Sequence, residues 1–289
     1  MEDRYALSNK KIREEYVDVD GVDTHFLLTG EGPPVILLHC LWAPSAWVAW
    51  RHNIPALGKH FRTYAVDMVG FGLSGKPKLS YSLSCFADFL DRFVTIQRIQ
   101  QASLIGWSYG GNIAIKFALR FPGKVNKLVL VDAVLCRNLR LRHRMALGRV
   151  SLPIIGDFLI KRMLRRDNLR KTYSNFFYNK RYVTDELIDE THSFLKSPKA
   201  QETFLVTARS IGTFSGFRKD SKQFDMLQRI NAPTLIMTAT HSHRPVADAE
   251  IARKKIKNSK IVVFQNCAHA IQIERASEFN TIVCDFLEA

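Results

Sequence analysis

The sequence predicts an α/β fold in which a doubly wound, mostly parallel sheet forms the core and a helical cap is inserted into it. Three observations lead to this prediction: short apolar runs typical of buried strands, helical segments between them, and one long basic segment without a matching strand. The chain has 289 residues, 46% of them apolar. That length suits one domain with an insertion, so we expect one sheet and one core.

The first predicted element is an antiparallel hairpin at the edge of the sheet. Residues Glu15 to Asp20 and Asp23 to Thr29 alternate apolar and polar side chains around the turn Asp20-Gly21. Six short runs rich in Val, Ile and Leu follow, a pattern typical of parallel strands buried on both faces. These runs are Val35 to His39, Arg62 to Asp67, Ala102 to Trp107, Lys127 to Ala133, Thr234 to Thr240 and Lys260 to Asn266.

Helical segments separate most of these runs, as a doubly wound sheet requires. The predicted helices include Leu83 to Gln97, Gly110 to Arg120 and Ala247 to Ile256. The segment from about Val134 to Asp225 holds no matching strand and has a helical, basic character. We therefore predict a core domain made of residues 1–133 and 226–289, and an inserted cap over residues 134–225.

Positive charge is concentrated in the predicted cap. The net charge is +15, and the segment from Arg137 to Arg181 alone carries thirteen Lys or Arg against two Asp, a net charge of +11. Leu152 to Leu164 mixes eight apolar residues with Lys161 and Arg162, which suits an amphipathic surface.

Two interpretations of this basic cap stay open. The first is a lid whose apolar side packs on the core and whose arginines are solvated. The second is a lid that contacts anionic membrane lipid or attracts an anionic or lipid-like acyl substrate. Nucleic-acid binding is disfavoured because the chain shows no recognised nucleic-acid motif and no regular aromatic interleaving.

Cysteine usage and the N-terminal segment indicate a cytoplasmic location. The five cysteines are widely spaced and form no CxxC pair, so neither a disulfide framework nor a metal site is expected. Met1 to Glu15 mixes charged residues without an apolar stretch, unlike a secretory signal.

A candidate nucleophile lies where a strand meets a helix. Gly106-Trp107-Ser108-Tyr109-Gly110 has the GxSxG pattern of a nucleophile elbow, after an apolar strand and before a helix. Glycines are needed because side chains two positions either side of Ser108 would collide in so tight a turn. Ser108 would stand at the head of a helix, whose positive end favours an oxyanion.

A serine hydroxyl needs a base within hydrogen-bonding reach before it can attack a carbonyl carbon. His269 is the candidate, because it follows the last predicted strand in a loop that would carry it over the strand ends. The other eight histidines have no comparable position.

Four motifs follow one another as they do in the α/β-hydrolase superfamily. By these motifs the chain resembles the branch of cap-bearing esterases and carbon–carbon bond hydrolases. The motifs are Leu37 to Trp42 with Trp47, Asp67 to Ser74, the elbow, and Asn266 to Glu274. The resemblance implies an oxyanion hole made by the backbone N–H groups of Leu41 and Tyr109, and an acyl-enzyme mechanism that needs no cofactor. It also implies a structural role for His39.

Dehalogenase and epoxide hydrolase chemistry is disfavoured because the elbow holds Ser108 rather than Asp.

Two residues depart from the family pattern. Cys40 stands where the family usually has glycine, which raises the question of whether the loop that presents the Leu41 N–H keeps its geometry. Ser242 stands where relatives carry the acid of the triad. Three alternatives follow: the acid is Asp132 at the end of the strand Lys127 to Val131, it is Asp248, or it is absent.

The resulting hypotheses differ in class. The first is a serine hydrolase that acts on an ester, a thioester or a related acyl group, or on a carbon–carbon bond beside a ketone, with Ser108, His269 and Asp132 in its site. The alternative is a catalytically impaired or non-enzymatic ligand-binding protein on the same fold. Reaction of Ser108 with a fluorophosphonate would discriminate between them.

Overall fold

The computed structural model describes residues 12–289. The start of the predicted core domain and most of the charged N-terminal segment, residues 1–11, lie outside the described residues. Ten strands occur in the described part of the chain. They are β1 (Arg13–Val19), β2 (Val22–Thr29), β3 (Pro34–Leu38), β4 (Arg62–Val66), β5 (Ala102–Trp107), β6 (Val125–Val131), β7 (Gly212–Thr213), β8 (Gly216–Phe217), β9 (Thr234–Ala239) and β10 (Ser259–Phe264).

Eight of these strands form one sheet in the order β1-β2-β4-β3-β5-β6-β9-β10. The predicted hairpin is confirmed: β1 pairs antiparallel with β2, and Asp20 and Gly21 between them have φ angles of 54° and 78°. The pair β2 and β4 is also antiparallel, whereas every pair from β4 to β10 is parallel. The mostly parallel sheet that the apolar runs predicted is therefore present.

Helices cover both faces of this sheet, as the alternating pattern predicted. The central strand β5 is buried along its whole length, which explains why its sequence is almost entirely apolar. The helices outside the segment between β6 and β9 are α1 (Ala46–Trp50), α2 (Ile54–Leu57), α3 (Leu83–Ile96), α4 (Tyr109–Arg120), α10 (Val246–Lys255), α11 (Ile271–Glu274) and α12 (Ala276–Glu288).

The segment between β6 and β9 is mainly helical, and the two-residue strands β7 and β8 pair only with each other. Its helices are α5 (Leu141–Ser151), α6 (Ile155–Met163), α7 (Arg166–Ser174), α8 (Asp185–Leu195) and α9 (Pro198–Ile211). The division into a core and a cap over residues 134–225 stays a prediction. Over residues 12–289, none of the helices combines the length and the apolar content needed to cross a bilayer.

Candidate active site

The elbow around Ser108 has the strained geometry that its motif predicts. Ser108 follows β5 and precedes α4, with φ 57° and ψ −114°. A β-carbon on Gly106 would lie 2.4 Å from the Gly110 carbonyl oxygen, and one on Gly110 would lie 2.2 Å from the Leu38 carbonyl oxygen. Only glycine fits at these two positions, so the tight turn keeps Ser108 at the end of β5.

His269 and Asp132 meet at the carboxyl edge of the sheet, after β10 and β6. His269 Nδ1 lies 2.5 Å from Asp132 Oδ2, and both side chains are buried. Asp132 has a φ of 42°, an unusual value for a residue with a side chain. The carboxylate thus orients the imidazole so that Nε2 is left to exchange a proton with a nucleophile.

Ser242 does not take the place of the carboxylate but supports it. Ser242 Oγ donates a 2.6 Å hydrogen bond to Asp132 Oδ2, and Thr238 Oγ1 donates a 3.2 Å bond to Asp132 Oδ1. Asp248 lies on α10, where its carboxylate is 3.9 Å from the Arg140 guanidinium. The carboxylate in contact with His269 is therefore Asp132.

Burial and neighbouring charge set the protonation of this pair. Burial raises the pKa of Asp132, but the His269 hydrogen bond, the positive charges of His269 and Arg244, and the Ser242 hydrogen bond lower it, and the net shift is downward. Burial and the charge of Arg244 lower the pKa of His269 against the opposing effect of Asp132. A neutral imidazole beside an ionised carboxylate is the state in which a histidine can act as a base.

Arg244 is a member of this site that the sequence patterns did not identify. Its Nη2 donates a 3.2 Å hydrogen bond to Ser108 Oγ, and its Nη1 donates to the Asp132 backbone carbonyl oxygen and lies 3.5 Å from Asp132 Oδ2. Nη1 is also 3.3 Å from His269 Nδ1. Among the described residues, no hydrogen bond joins Ser108 to His269, so the guanidinium is the hydrogen-bond partner of the nucleophile.

Aromatic side chains enclose His269. The rings of His243 and Phe176 lie 4.7 Å and 4.8 Å from its imidazole, centre to centre. Burial and the positive charges of His269 and Arg244 lower the pKa of His243 to about 2, so its ring is neutral near pH 7. Trp107 Nε1 donates a 2.9 Å hydrogen bond to the His269 carbonyl oxygen, which ties the elbow to the histidine loop.

Cys40 adds no backbone strain to the loop after β3. Over residues 12–289, Cys40 is not among the non-glycine residues with positive φ, so its β-carbon introduces no left-handed strain. Met68 N–H donates to His39 Nε2, which leaves His39 Nδ1 to donate to the Cys40 carbonyl oxygen at 3.0 Å. His39 therefore holds this loop, as the family resemblance implied.

The two backbone donors expected for an oxyanion hole are Leu41 N–H and Tyr109 N–H. Within the described residues, neither N–H donates an intramolecular hydrogen bond. Tyr109 is the first residue of α4, where a backbone N–H has no helical acceptor. Both groups are thus available to an oxygen that develops negative charge.

Two carboxylates from the recognised motifs organise the surrounding loops. Asp67 accepts hydrogen bonds from the backbone N–H groups of Ala46 and Leu73, at 2.6 Å and 2.8 Å. Glu274 accepts bonds from Ala268 N–H and Tyr178 N–H, each 3.1 Å long. Glu274 therefore holds the loop before His269 against the segment that follows α7.

A cavity of about 520 Å³ lies between the sheet edge and helices α5, α6 and α9. Its wall is mostly apolar and includes Leu41, Asp132 and Arg244, but neither Ser108 nor His269. Arg244 therefore lies between the cavity and the nucleophile, since it lines the cavity and contacts Ser108.

Of the predicted site residues, His269 and Asp132 are in direct contact, Ser108 is linked to both through Arg244, and Leu41 lies at the cavity wall. Sequence reasoning missed Arg244, His243 and Phe176. Arg244 had one available signal: it lies two residues after Ser242, in the loop that carries the acid in relatives.

Comparisons with known proteins cover almost all of the chain. A family model described as alpha/beta hydrolase fold matches residues 33–276. 2-Hydroxy-6-oxo-2,4-heptadienoate hydrolase of Pseudomonas putida is 29% identical over 279 residues, which cover 93% of this chain and 94% of that protein. 2-Hydroxymuconate semialdehyde hydrolase of a Pseudomonas strain is 28% identical over 274 residues, which cover 92% of this chain and 91% of that protein.

A solved structure agrees over a similar length. A variant of the meta-cleavage product hydrolase of Pseudomonas fluorescens IP01 is 27% identical and has a TM-score of 0.77. The match covers 96% of this chain and 98% of that chain.

Proposed function

We propose that this chain, which belongs to the α/β-hydrolase fold family, is a hydrolase in which Ser108 attacks a carbonyl carbon of a small anionic substrate. The observation that carries this proposal is the buried contact of 2.5 Å between His269 and Asp132 beside the Ser108 elbow. A base oriented by a carboxylate next to a serine is the arrangement that activates a hydroxyl group for acyl transfer.

The proposed reaction uses each group in turn. His269 Nε2 takes the proton from Ser108 Oγ while the oxygen bonds to the carbonyl carbon, and Asp132 offsets the charge of the imidazolium. Leu41 N–H and Tyr109 N–H bind the oxyanion. When the tetrahedral intermediate collapses, the leaving group takes the proton from His269. A water molecule, deprotonated by His269, then attacks the acyl-serine, which releases a carboxylic acid and restores Ser108.

The relatives favour a carbon–carbon bond as the bond that is cleaved. A 2-hydroxy-6-oxo-2,4-heptadienoate, the compound after which one relative is named, contains no ester or amide bond. Hydrolysis of such a compound has to cleave a carbon–carbon bond next to its ketone. We therefore propose oxo-carboxylates as the first substrate class and activated esters or thioesters as the second, since both present a carbonyl carbon to Ser108.

Arg244 supports the choice of an anionic substrate. A guanidinium pairs strongly with a carboxylate, and this one lines the cavity beside the nucleophile. A substrate carboxylate would give Arg244 a new partner and free Ser108 Oγ for His269. A neutral substrate offers no such exchange and must compete with the guanidinium for the space next to Ser108.

The first experiment asks whether Ser108 is reactive. A fluorophosphonate probe should label the parent protein and should fail to label Ser108→Ala. Turnover is then measured with 2-hydroxy-6-oxo-2,4-heptadienoate and with 4-nitrophenyl esters. Absence of labelling in the parent would contradict the proposal, and turnover of the esters alone would move the substrate class to the second choice.

A non-enzymatic ligand-binding protein is the second candidate, and the contact between Arg244 and Ser108 favours it. A serine whose oxygen accepts a hydrogen bond from a guanidinium is not paired with its base. In that case the cavity would bind an anionic ligand without turnover, and Ser108→Ala would bind it as tightly as the parent. The expected cytoplasmic location stays a prediction under either function.

A further inference from the structure

Large apolar side chains are exposed where α5 is followed by α6, beside the cavity. Leu152, Ile154, Ile155 and Phe158 are exposed by 37%, 82%, 50% and 61%. They lie in the loop between α5 and α6 and in the first turn of α6. Four exposed apolar residues within seven positions are a concentration that soluble proteins seldom leave without a partner. We call residues 152–162 the cap tip.

The backbone of the cap tip is strained at Ile154. Ile154, the N-cap residue of α6, has φ 62°, in the left-handed region that β-branched residues rarely adopt. Glycine would adopt this conformation without strain. Because the Ile154 residue is 82% exposed, its side chain gains little from packing within the protein that could offset this strain.

Basic side chains follow the apolar ones along the same face of α6. Lys161 and Arg162 come three and four residues after Phe158, so they lie one turn further along that face. Both are exposed, and within residues 12–289 neither side chain forms an ion pair. Asp157, the acidic residue of α6, lies 3.6 Å from Arg209. The cap tip therefore combines an apolar end with uncompensated positive charge.

This combination matches the interface of an anionic bilayer. Apolar side chains enter the acyl region, while lysine and arginine reach the phosphate groups one turn away. A protein partner with an acidic rim would be the other occupant of such a surface. We commit to the bilayer because the apolar residues project from a loop and one helical turn rather than lining a groove.

We propose that the cap tip docks on membranes that contain anionic phospholipid. Leu159, Ile160 and Met163 of α6 line the cavity, whereas Ile155 and Phe158 of the same helix are exposed. Docking would therefore bring the wall of the cavity to the membrane surface. The proposal does not depend on turnover at Ser108.

The test is co-sedimentation of the full chain with vesicles of phosphatidylcholine alone or with about one third phosphatidylglycerol. The parent should bind the anionic vesicles and should bind the neutral ones much more weakly. Phe158→Ser and Ile154→Ser should lower binding to anionic vesicles. Lys161→Gln combined with Arg162→Gln should weaken it about 30-fold, since each basic side chain near an anionic surface contributes about 1 kcal/mol.

Matched controls separate docking from folding and from catalysis. Ile251 on α10 is 47% exposed, close to the 50% of Ile155, so Ile251→Ser should bind vesicles like the parent while Ile155→Ser should not. Ser108→Ala should also bind like the parent, which keeps this test independent of the proposed function. Equal binding of the parent to neutral and anionic vesicles would overturn the proposal. Loss of a dimer in Phe158→Ser, without vesicle binding by the parent, would overturn it in favour of self-association.

Discussion

Arg244 Nη2 donates a hydrogen bond of 3.2 Å to Ser108 Oγ. The guanidinium thereby occupies the side of the nucleophile that faces the cavity, and it places a positive charge next to the base that must itself become positive during catalysis. Such an arrangement disfavours neutral substrates. It suits a substrate whose own negative charge draws the guanidinium away.

Replacing Arg244 by Met should therefore change a preference for anionic substrates into a preference for neutral ones. Hydrolysis of mono-4-nitrophenyl succinate, an anion, should fall about 10- to 150-fold in kcat/KM, because a charge-assisted hydrogen bond contributes about 1.5–3 kcal/mol. Hydrolysis of neutral 4-nitrophenyl butyrate should rise. The ratio of the two kcat/KM values is the measurement.

The control for this change is Arg253→Gln, which removes an exposed positive charge from α10 and should leave the ratio unchanged. An equal fall for both esters would show that Arg244 has only a structural role. Labelling of Arg244→Met by the fluorophosphonate would confirm that Ser108 is still reactive in the variant.

Asp132→Asn should lower kcat by about 10³- to 10⁴-fold, because an amide neither holds the imidazole in the correct tautomer nor offsets its charge. Adding Ser242→Asp should restore part of the rate, since Ser242 Oγ lies 2.6 Å from Asp132 Oδ2 and a carboxylate there would be near the imidazole. The measurement is kcat for the ester that the parent hydrolyses fastest. Full activity of Asp132→Asn would refute the assignment of the acid.

The pH dependence of kcat/KM should follow the protonation of His269. Neutral imidazole is the active form, and its pKa is lowered from the ordinary 6.5 by burial and by Arg244, so activity should persist below pH 6.5. Asp132, His243 and Arg244 are the ionisable groups that face this ring.

Arg244→Gln removes a charge that opposes protonation of His269, so the acidic limb of the profile should move to higher pH. The comparison uses the neutral ester, because the protonation of an anionic substrate would add its own limb. If the acidic limb of the Arg244→Gln profile stays in place or moves to lower pH, Arg244 does not lower the pKa of His269.

Glu274→Gln should lower the free energy of unfolding by about 1.5–3 kcal/mol, because one oxygen becomes a donor and a buried N–H loses its charged acceptor. Ala268, Tyr178 and Asn179 supply the N–H groups concerned. Urea denaturation measures the change. Glu278→Gln, at an exposed ion pair with Arg275, should change the free energy by less than about 1 kcal/mol, and equal effects of the two substitutions would argue against the proposed anchor.

The parts of this protein that could be predicted are those with local causes. Apolar runs identify strands because a residue buried on both faces of a sheet must be apolar wherever the strand lies in space. Gly106 and Gly110 identify the elbow because the turn excludes a β-carbon. The turn at Asp20-Gly21 could also be predicted from the sequence, since both residues tolerate positive φ.

The sequence by itself thus determined the sheet, the elbow at Ser108 and the histidine that follows the last strand. Only the tertiary structure decided that Asp132 contacts His269, that Ser242 supports this carboxylate, and that Arg244 covers Ser108. These contacts join residues that lie 110 to 137 positions apart. Their distances depend on how the loops at one sheet edge pack together, and no local pattern in the chain encodes that packing.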